Sequence, residues 1–399
     1  MKMNKFFMLG LAGLAFAACS NEEEVGNQFP EGTGAVTIKI VSPALTKSIH
    51  DKVTADAEGV NTVAVTGPVV ITLTDNGTER KIELEEAEFS DQHAVTFWNV
   101  TNPTKVTVAM NGGLPEYEGI KVETFNNFLP KDIPAYGEVG GAGINLTGNT
   151  DSPSSAGSVY EDGANPGDDK NIFQMYEATV TLAIPVARLE ISDITHVTAV
   201  GGNHVADNCA YNVLNIGGVY LDNVYAEGVG VNYSNGSFTC ATGTPTDYSF
   251  TGVNDPSKQN YSGTGIEAVL KDEVTRENFL TVGGTWPEEA GKAYAYNFFG
   301  ADGIENLPKF KIYFDESEAK RDPQLPAPRF AMIESYKTTV GTPITKFEPG
   351  HIYRILKAEL TDNNIVGNEG GETLYGVEVT VVEAAWTIET IDADWVGSN

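Results

Sequence analysis

The residues best placed for chemistry stand near the start of the chain. Cys19 directly follows Phe16-Ala17-Ala18, and small residues ahead of a cysteine mark an acceptor for a lipid acyl chain such as palmitate. Leucine, valine or isoleucine is usual three positions before such a cysteine, and here Phe16 stands there. Upstream, Lys2 and Lys5 precede an uncharged apolar run from Phe6 to Ala18. That order is a secretory signal and is too short for a transmembrane helix. Gly10 and Gly13 speak against a buried N-terminal helix instead. Acylation at Cys19 would anchor the chain at about 0.8 kcal/mol per buried methylene.

Other reactive residue types lack an organising pattern. With Cys19 lipidated, Cys209 and Cys240 remain. They are read either as a disulfide, worth roughly 3–4 kcal/mol by loop closure, or as two buried thiols. The histidines His50, His93, His196, His204 and His351 are scattered as surface or turn residues, with no His-Glu-x-x-His arrangement or nucleophile motif. Carboxylates are so numerous that no glycosidase-type pair stands out. The acidic loop Glu161-Asp162 with Asp168-Asp169 lacks the alternation of a calcium loop. Gly137 to Gly143 is glycine-rich, but no helix and no phosphate-binding lysine follows. No catalytic residue, cofactor or metal site is expected. Trp98 and Trp386 fall in strand patterns and read as core, whereas Trp286 and Trp395 lie near loops.

Composition sets the frame for these residues. Acidic residues outnumber basic ones 55 to 25, a formal charge of −30. Such a surface repels nucleic acid and anionic lipid. The 399 residues suit two domains better than one. Gly (42) and Pro (19) are plentiful, and the apolar runs are short and rich in Val and Thr, which predicts an all-β chain.

Along the chain, a polar linker from Glu22 to Gly34 leads to Ala35–Val41, where Val36, Ile38 and Ile40 share one face of a strand. Pro43 ends it, and Lys47-Ser48 lies in an exposed connector. Strands are expected at Thr62–Val65, Pro68–Thr74, Arg80–Leu84, Ala94–Trp98 and Lys105–Met110, with a hairpin turn at Asp75-Asn76-Gly77-Thr78. Residues 137–171 read as long loops. Two alternating runs then meet at Pro185, which suits an edge strand or a crossover between domains. Further strands are expected at Val213–Ile216, Val219–Val224, Tyr294–Phe299, Lys309–Phe314, Arg329–Tyr336, Ile352–Leu360, Leu374–Val382 and Trp386–Ile391. Gly228 to Thr264 reads as mostly loop, and Glu267–Lys271 as the start of a short helix.

Several stretches, in this order and spacing, resemble the fimbrillin family, the type V pilins of Bacteroidetes, in its Mfa-like branch. They are the lipid-acceptor cysteine with a strand and basic residue some way on (Val36–Val41, Thr46-Lys47-Ser48), and Ile184-Pro185-Val186-Ala187-Arg188-Leu189-Glu190-Ile191. Next are Ala293–Phe299 with Leu307–Ile312, and then Phe347–Ile355, Leu374–Val381 and Trp386. Ser20-Asn21-Glu22-Glu23-Glu24 is similar to the acidic surface-export signal of lipoproteins from that phylum.

The resemblance implies an all-β chain of two tandem β-sandwich-like (transthyretin-like) domains after a lipoprotein signal peptide. Residues 1–18 would be the signal, 19–47 a propeptide, 48–186 the first domain and 187–399 the second. It implies an outer-membrane, surface-exposed lipoprotein cut between Lys47 and Ser48 by a trypsin-like or arginine-specific protease. Loss of the strand carrying Val36, Ile38 and Ile40 would open a groove for a strand of another fimbrial subunit. The natural donor is the C-terminal segment with Val377, Val379, Val381, Trp386 and Ile388, and the plain alternative is that Leu374 to Ile391 is simply the last hairpin of the second domain. The expected role is a non-enzymatic fimbrial subunit in adhesion and biofilm formation, partnered by like subunits or by anchor and tip subunits. The competing expectation is a monomeric surface lipoprotein that binds a glycan or other ligand.

Overall fold

The structure is a computed structural model that describes residues 34–41, 68–85, 94–125, 133–146, 158–161, 172–191, 194–197, 211–248, 268–273, 279–286, 294–319, 329–333, 335–338, 341–355, 358–365 and 378–385. Cys19, Lys47, Ser48, Cys209, Val377, Trp386 and Ile388 lie outside these residues. So do Thr62–Val65, the Asp162 to Lys170 part of the acidic loop, His50, His93, His204 and Trp395.

The chain is all-β, and helical structure among the described residues is confined to 3₁₀ turns. The first half contains β1 (Gly34–Val41), β2 (Val69–Asp75), β3 (Thr78–Leu84), β4 (Ala94–Val100) and β5 (Pro103–Met110). It continues with β6 (Ala135–Gly140), β7 (Ile144–Leu146), β8 (Ser158–Glu161) and β9 (Ile172–Thr181). The second half opens with β10 (Val186–Ile191), β11 (Ile194–His196), β12 (Tyr211–Asp222), β13 (Tyr233–Ser234) and β14 (Ser237–Phe238). Then come β15 (Lys271–Glu273), β16 (Phe279–Thr281), β17 (Thr285–Trp286), β18 (Tyr294–Phe299), β19 (Ala301–Asp302) and β20 (Lys309–Ala319). The last are β21 (Arg329–Ile333), β22 (Ser335–Thr338), β23 (Lys346–Phe347), β24 (His351–Ile355), β25 (Ala358–Leu360) and β26 (Glu378–Ala385).

Two sheets build the first sandwich: β4-β1-β9-β7, with β8 also on β9, and β3-β2-β5-β6. Alternation sets the inner faces. Val69, Ile71 and Leu73 of β2 are buried, as are Val106, Val108 and Met110 of β5. The β2–β3 hairpin closes where expected, with positive φ at Asn76 (49°) and Gly77 (78°) that few other residues tolerate. Asp75 before the turn is buried, and its carboxylate accepts the amides of Thr101 and Asn102 at 2.6–3.1 Å.

The expectation of loops over residues 137–171 is corrected: β6, β7 and β8 fall there. Gly137 explains the misreading. A Cβ at Gly137 would lie 2.5 Å from the Thr181 carbonyl oxygen, so this glycine serves close strand approach instead of a turn. Beside it, Tyr136 and Ala183 exchange both backbone hydrogen bonds.

Leu182–Pro185 carries the chain from β9 of one sheet into β10 of another. The second sandwich faces sheet β18-β10-β24-β26-β22 against sheet β15-β12-β20-β21, with β16 also on β12. Small sheets β17-β11-β25, β13-β14 and β19-β23 flank it. Its core is aromatic: Tyr296, Phe298, Phe310, Phe314, Phe347 and Tyr353 are buried. Trp286 is buried too, stacked on Tyr294 at 4.5 Å, so its place near a loop in sequence is core in space.

Some expected strand boundaries differ. Val213–Ile216 and Val219–Asp222 merge into β12, whose register against β20 shifts around Ile216 and Gly218, while Val224 of the expected second strand makes an isolated bridge to Thr246. Arg329–Tyr336 and Ile352–Leu360 each divide in two. Within the expected helix start at Glu267–Lys271, the described residues 268–270 instead form a bend leading into β15, with Leu270 buried and its carbonyl accepting the Leu221 amide at 2.9 Å.

Candidate strand-exchange site

β1 reaches its place from the N-terminal side of everything else in the first sandwich, yet it is an interior strand. It runs antiparallel to β4, with Val36 opposite Phe97 and Ile38 opposite Val95. On its other side it runs parallel to β9, from Ala35–Met175 to Val41–Thr181. Val36, Ile38 and Ile40 all face the core and are almost wholly buried. Thr37 and Lys39 alternate with them, and Lys39 pairs with Glu177 at 2.8 Å on the outer face. Removing β1 would strip one ladder from each of β4 and β9 and open a slot lined by the core.

The other strand expected to take part, β26, is also interior. It runs parallel to β22, with Val379 opposite Tyr336 and Val381 opposite Thr338. It runs antiparallel to β24, with Val381 opposite Ile355 and Ala385 opposite His351. Each of the two strands therefore has eight residues, one parallel neighbour and one antiparallel neighbour. Arg80, the first arginine in the chain, sits in β3 opposite Leu73, its guanidinium 5.6 Å from the Phe97 ring centroid. A cut there would remove β1, β2 and the start of β3 together.

Polar groups elsewhere divide into structural pairs. The histidine reading is corrected at His196, which is fully buried on β11 and hydrogen-bonded through Nε2 to Asp362 Oδ1 at 3.0 Å. Burial holds its imidazole below the usual histidine range, against the opposing pull of Asp362. No sequence motif announces this pair, because its members meet only through the parallel pairing of β11 with β25 and the turn after it. His351 is part-exposed, 3.7 Å from Glu348.

A second cluster lies on β10 and β24. Arg354 donates to Glu190 Oε2 through Nε and Nη2 at 3.0 and 2.9 Å, and Arg188 Nε lies 2.8 Å from Glu190 Oε1. All three are buried. The Arg188 contact is close but poorly angled, so it is Coulombic and leaves Arg188 Nε and Glu190 Oε1 without hydrogen bonds. Cys240 is a free thiol 3.6 Å from the Phe347 carbonyl oxygen, and burial pushes it up to about 11, which makes it a poor nucleophile. Among the described residues no group of three or more His, Cys, Asp or Glu is placed to hold a metal.

No protein-family model and no curated protein sequence matches the chain. Solved structures do align with it along most of its length. A fimbrilin from Porphyromonas gingivalis aligns at 12% identity and a TM-score of 0.48, over 90% of this chain and 99% of that one. A candidate cell adhesion protein from Bacteroides eggerthii aligns at 15% identity and 0.46, over 90% and 98%. The tip fimbrial protein Mfa3 from Porphyromonas gingivalis, with a C-terminal truncation, aligns at 10% identity and 0.38, over 88% and 100%. The structures to which this chain is similar thus include fimbrilins and cell adhesion proteins of Bacteroidetes.

Proposed function

We propose that the chain is a structural subunit of a cell-surface fimbria, assembled by exchange of strands and serving adhesion and biofilm formation. In this reading residues 1–18 are a signal peptide, and Cys19 carries the lipid that holds the precursor at the outer membrane. A protease cuts between Lys47 and Ser48 and releases β1. Residues 48–186 and 187–399 are the two working domains. The partners are further copies of the chain or sibling subunits, and the role is structural instead of catalytic.

One observation carries the reading: the strand supplied by the N-terminal segment and the strand supplied by the C-terminal segment have the same length and the same pair of neighbour polarities. Parallel and antiparallel ladders place donors and acceptors differently, so a replacement strand must match both sides at once. β26 already pairs one parallel and one antiparallel neighbour within its own sheet, which is the pairing that the slot between β4 and β9 asks of an incoming strand. With β1 gone, burial of Val36, Ile38 and Ile40 is lost, about 1.5–3 kcal/mol for each side chain. Two unpaired strand edges remain beside an apolar slot, and both favour an incoming strand. Val377, Val379 and Val381 alternate with the spacing of the three residues that leave. To donate, β26 must leave β22 and β24 of its own sandwich, so assembly exchanges one set of ladders for another.

The N-terminus of protein sheared from cells tests this. A start at Ser48 in the polymer is the expected result. A start at acylated Cys19 with β1 retained would instead identify an uncut anchor or a monomeric ligand-binding lipoprotein.

A further inference from the structure

We infer that the second sandwich props the first, holding open the groove that β1 vacates so that it is ready for a strand from a second copy. The inference rests on the strand-exchange reading. It comes from backbone pairing between the two halves of the chain. Tyr117 and Val122 donate their amides to Val231 and Ala226 at 3.1 and 2.9 Å, and Gly228 and Tyr233 donate back to Ile120 and Pro115 at 3.0 and 2.8 Å. Residues 115–122 and 226–233 thus form a two-stranded clasp.

Side chains lock the clasp. The buried Tyr117 ring lies 5.5 Å from Phe238 and 6.4 Å from Phe299, and Phe125 meets Phe299 edge-on at 5.4 Å. Asn297 donates from Nδ2 to the Phe125 carbonyl at 3.2 Å, a buried bond across the junction. The Tyr233 hydroxyl accepts the Glu138 amide at 3.2 Å, and its ring meets Tyr136 at 5.1 Å. Gly228 is required for the fit. A Cβ there would lie 2.6 Å from the Tyr117 carbonyl oxygen and 2.9 Å from the Phe299 ring.

The placement gives the clasp its role. Its first-half residues follow β5 directly, and Tyr136 and Glu138 belong to β6. Both strands lie in sheet β3-β2-β5-β6, across the core from β1. The wall facing the vacated slot is therefore fastened from outside by contacts that β1 does not make. An emptied apolar slot tends to relax inward, and a held wall lowers the cost of admitting a strand.

The test uses the chain beginning at Ser48, with a synthetic peptide of residues 377–391 as the strand. The expected result is peptide binding by this chain and at least tenfold weaker binding by its Gly228→Val variant. Amide exchange at Tyr117, Val122, Gly228 and Tyr233 should remain slow without β1. Equal peptide affinity in the variant, together with fast exchange at those amides, would overturn the prop while leaving strand exchange intact. Binding by neither chain, with the amides still protected, would remove the strand-exchange reading and the prop with it. Tyr233→Phe keeps the ring and removes only the oxygen that accepts the Glu138 amide. If Gly228→Val does not fold, a smaller but measurable loss of peptide affinity in Tyr233→Phe is the supporting result, and unchanged affinity the opposing one.

Discussion

At the scale of single residues, the buried ionisable groups define what the second sandwich tolerates. His196 is held neutral by burial, with Asp362 accepting from one ring nitrogen and Nδ1 left without a partner. Its folded pKa lies below the unfolded value near 6.5, so the unfolded chain binds the extra proton as pH falls. The stability this residue contributes is complete above about pH 6.5 and is lost progressively as pH drops below that value through the lowered folded pKa. Urea midpoints should therefore fall between about pH 7 and pH 5, and His196→Asn should flatten that part of the profile. The Arg188–Glu190–Arg354 cluster is more demanding. Glu190→Gln leaves two buried guanidinium groups uncompensated and should cost about 3–5 kcal/mol. Replacing all three by apolar residues of similar volume should recover most of that loss in the same unfolding measurement.

At the scale of elements, the first sandwich depends on strands that approach unusually closely. Gly137 on β6 lies against the Thr181 carbonyl on β9, and Tyr136 pairs with Ala183 beside it. A methyl group at Gly137 has nowhere to go without moving backbone. Gly137→Ala is expected to destabilise the chain by about 1–3 kcal/mol, read from the chemical denaturation midpoint. A stability within error of the parent would show that the two sheets can separate at this corner. The same corner is where β9 leaves the first sandwich and, through Leu182–Pro185, becomes β10 of the second.

At the scale of the whole molecule, charge would oppose the proposed assembly. The chain carries a formal −30, so like copies repel at long range. Raising salt from about 10 to about 100 mM shortens the screening length from about 30 to about 10 Å. If the subunit is cut and polymerises as proposed above, it is therefore expected to polymerise faster over that range, followed by light scattering. A rate that falls with salt would mean that oppositely charged patches, not strand insertion against a repulsive background, guide the encounter.

Much of this architecture is legible in the chain itself, because strand alternation and turn chemistry are local. Val36, Ile38 and Ile40 declare their shared face at period two, and Asn76-Gly77 declares the hairpin by the positive φ that both adopt. The all-β class follows from many such short runs. What local pattern does not encode is which strands become neighbours. Glycines at 137 and 228 look like loop residues until β9 and Tyr117 are brought against them. His196 and Asp362, or Glu190 and Arg354, are more than a hundred and sixty residues apart and meet only by parallel pairing of distant strands. The candidate site divides in the same way. Alternation marks β1 and β26 as strands with an apolar face, whereas their interior positions and matching neighbour polarities come from long-range hydrogen bonding that only the assembled sheets define.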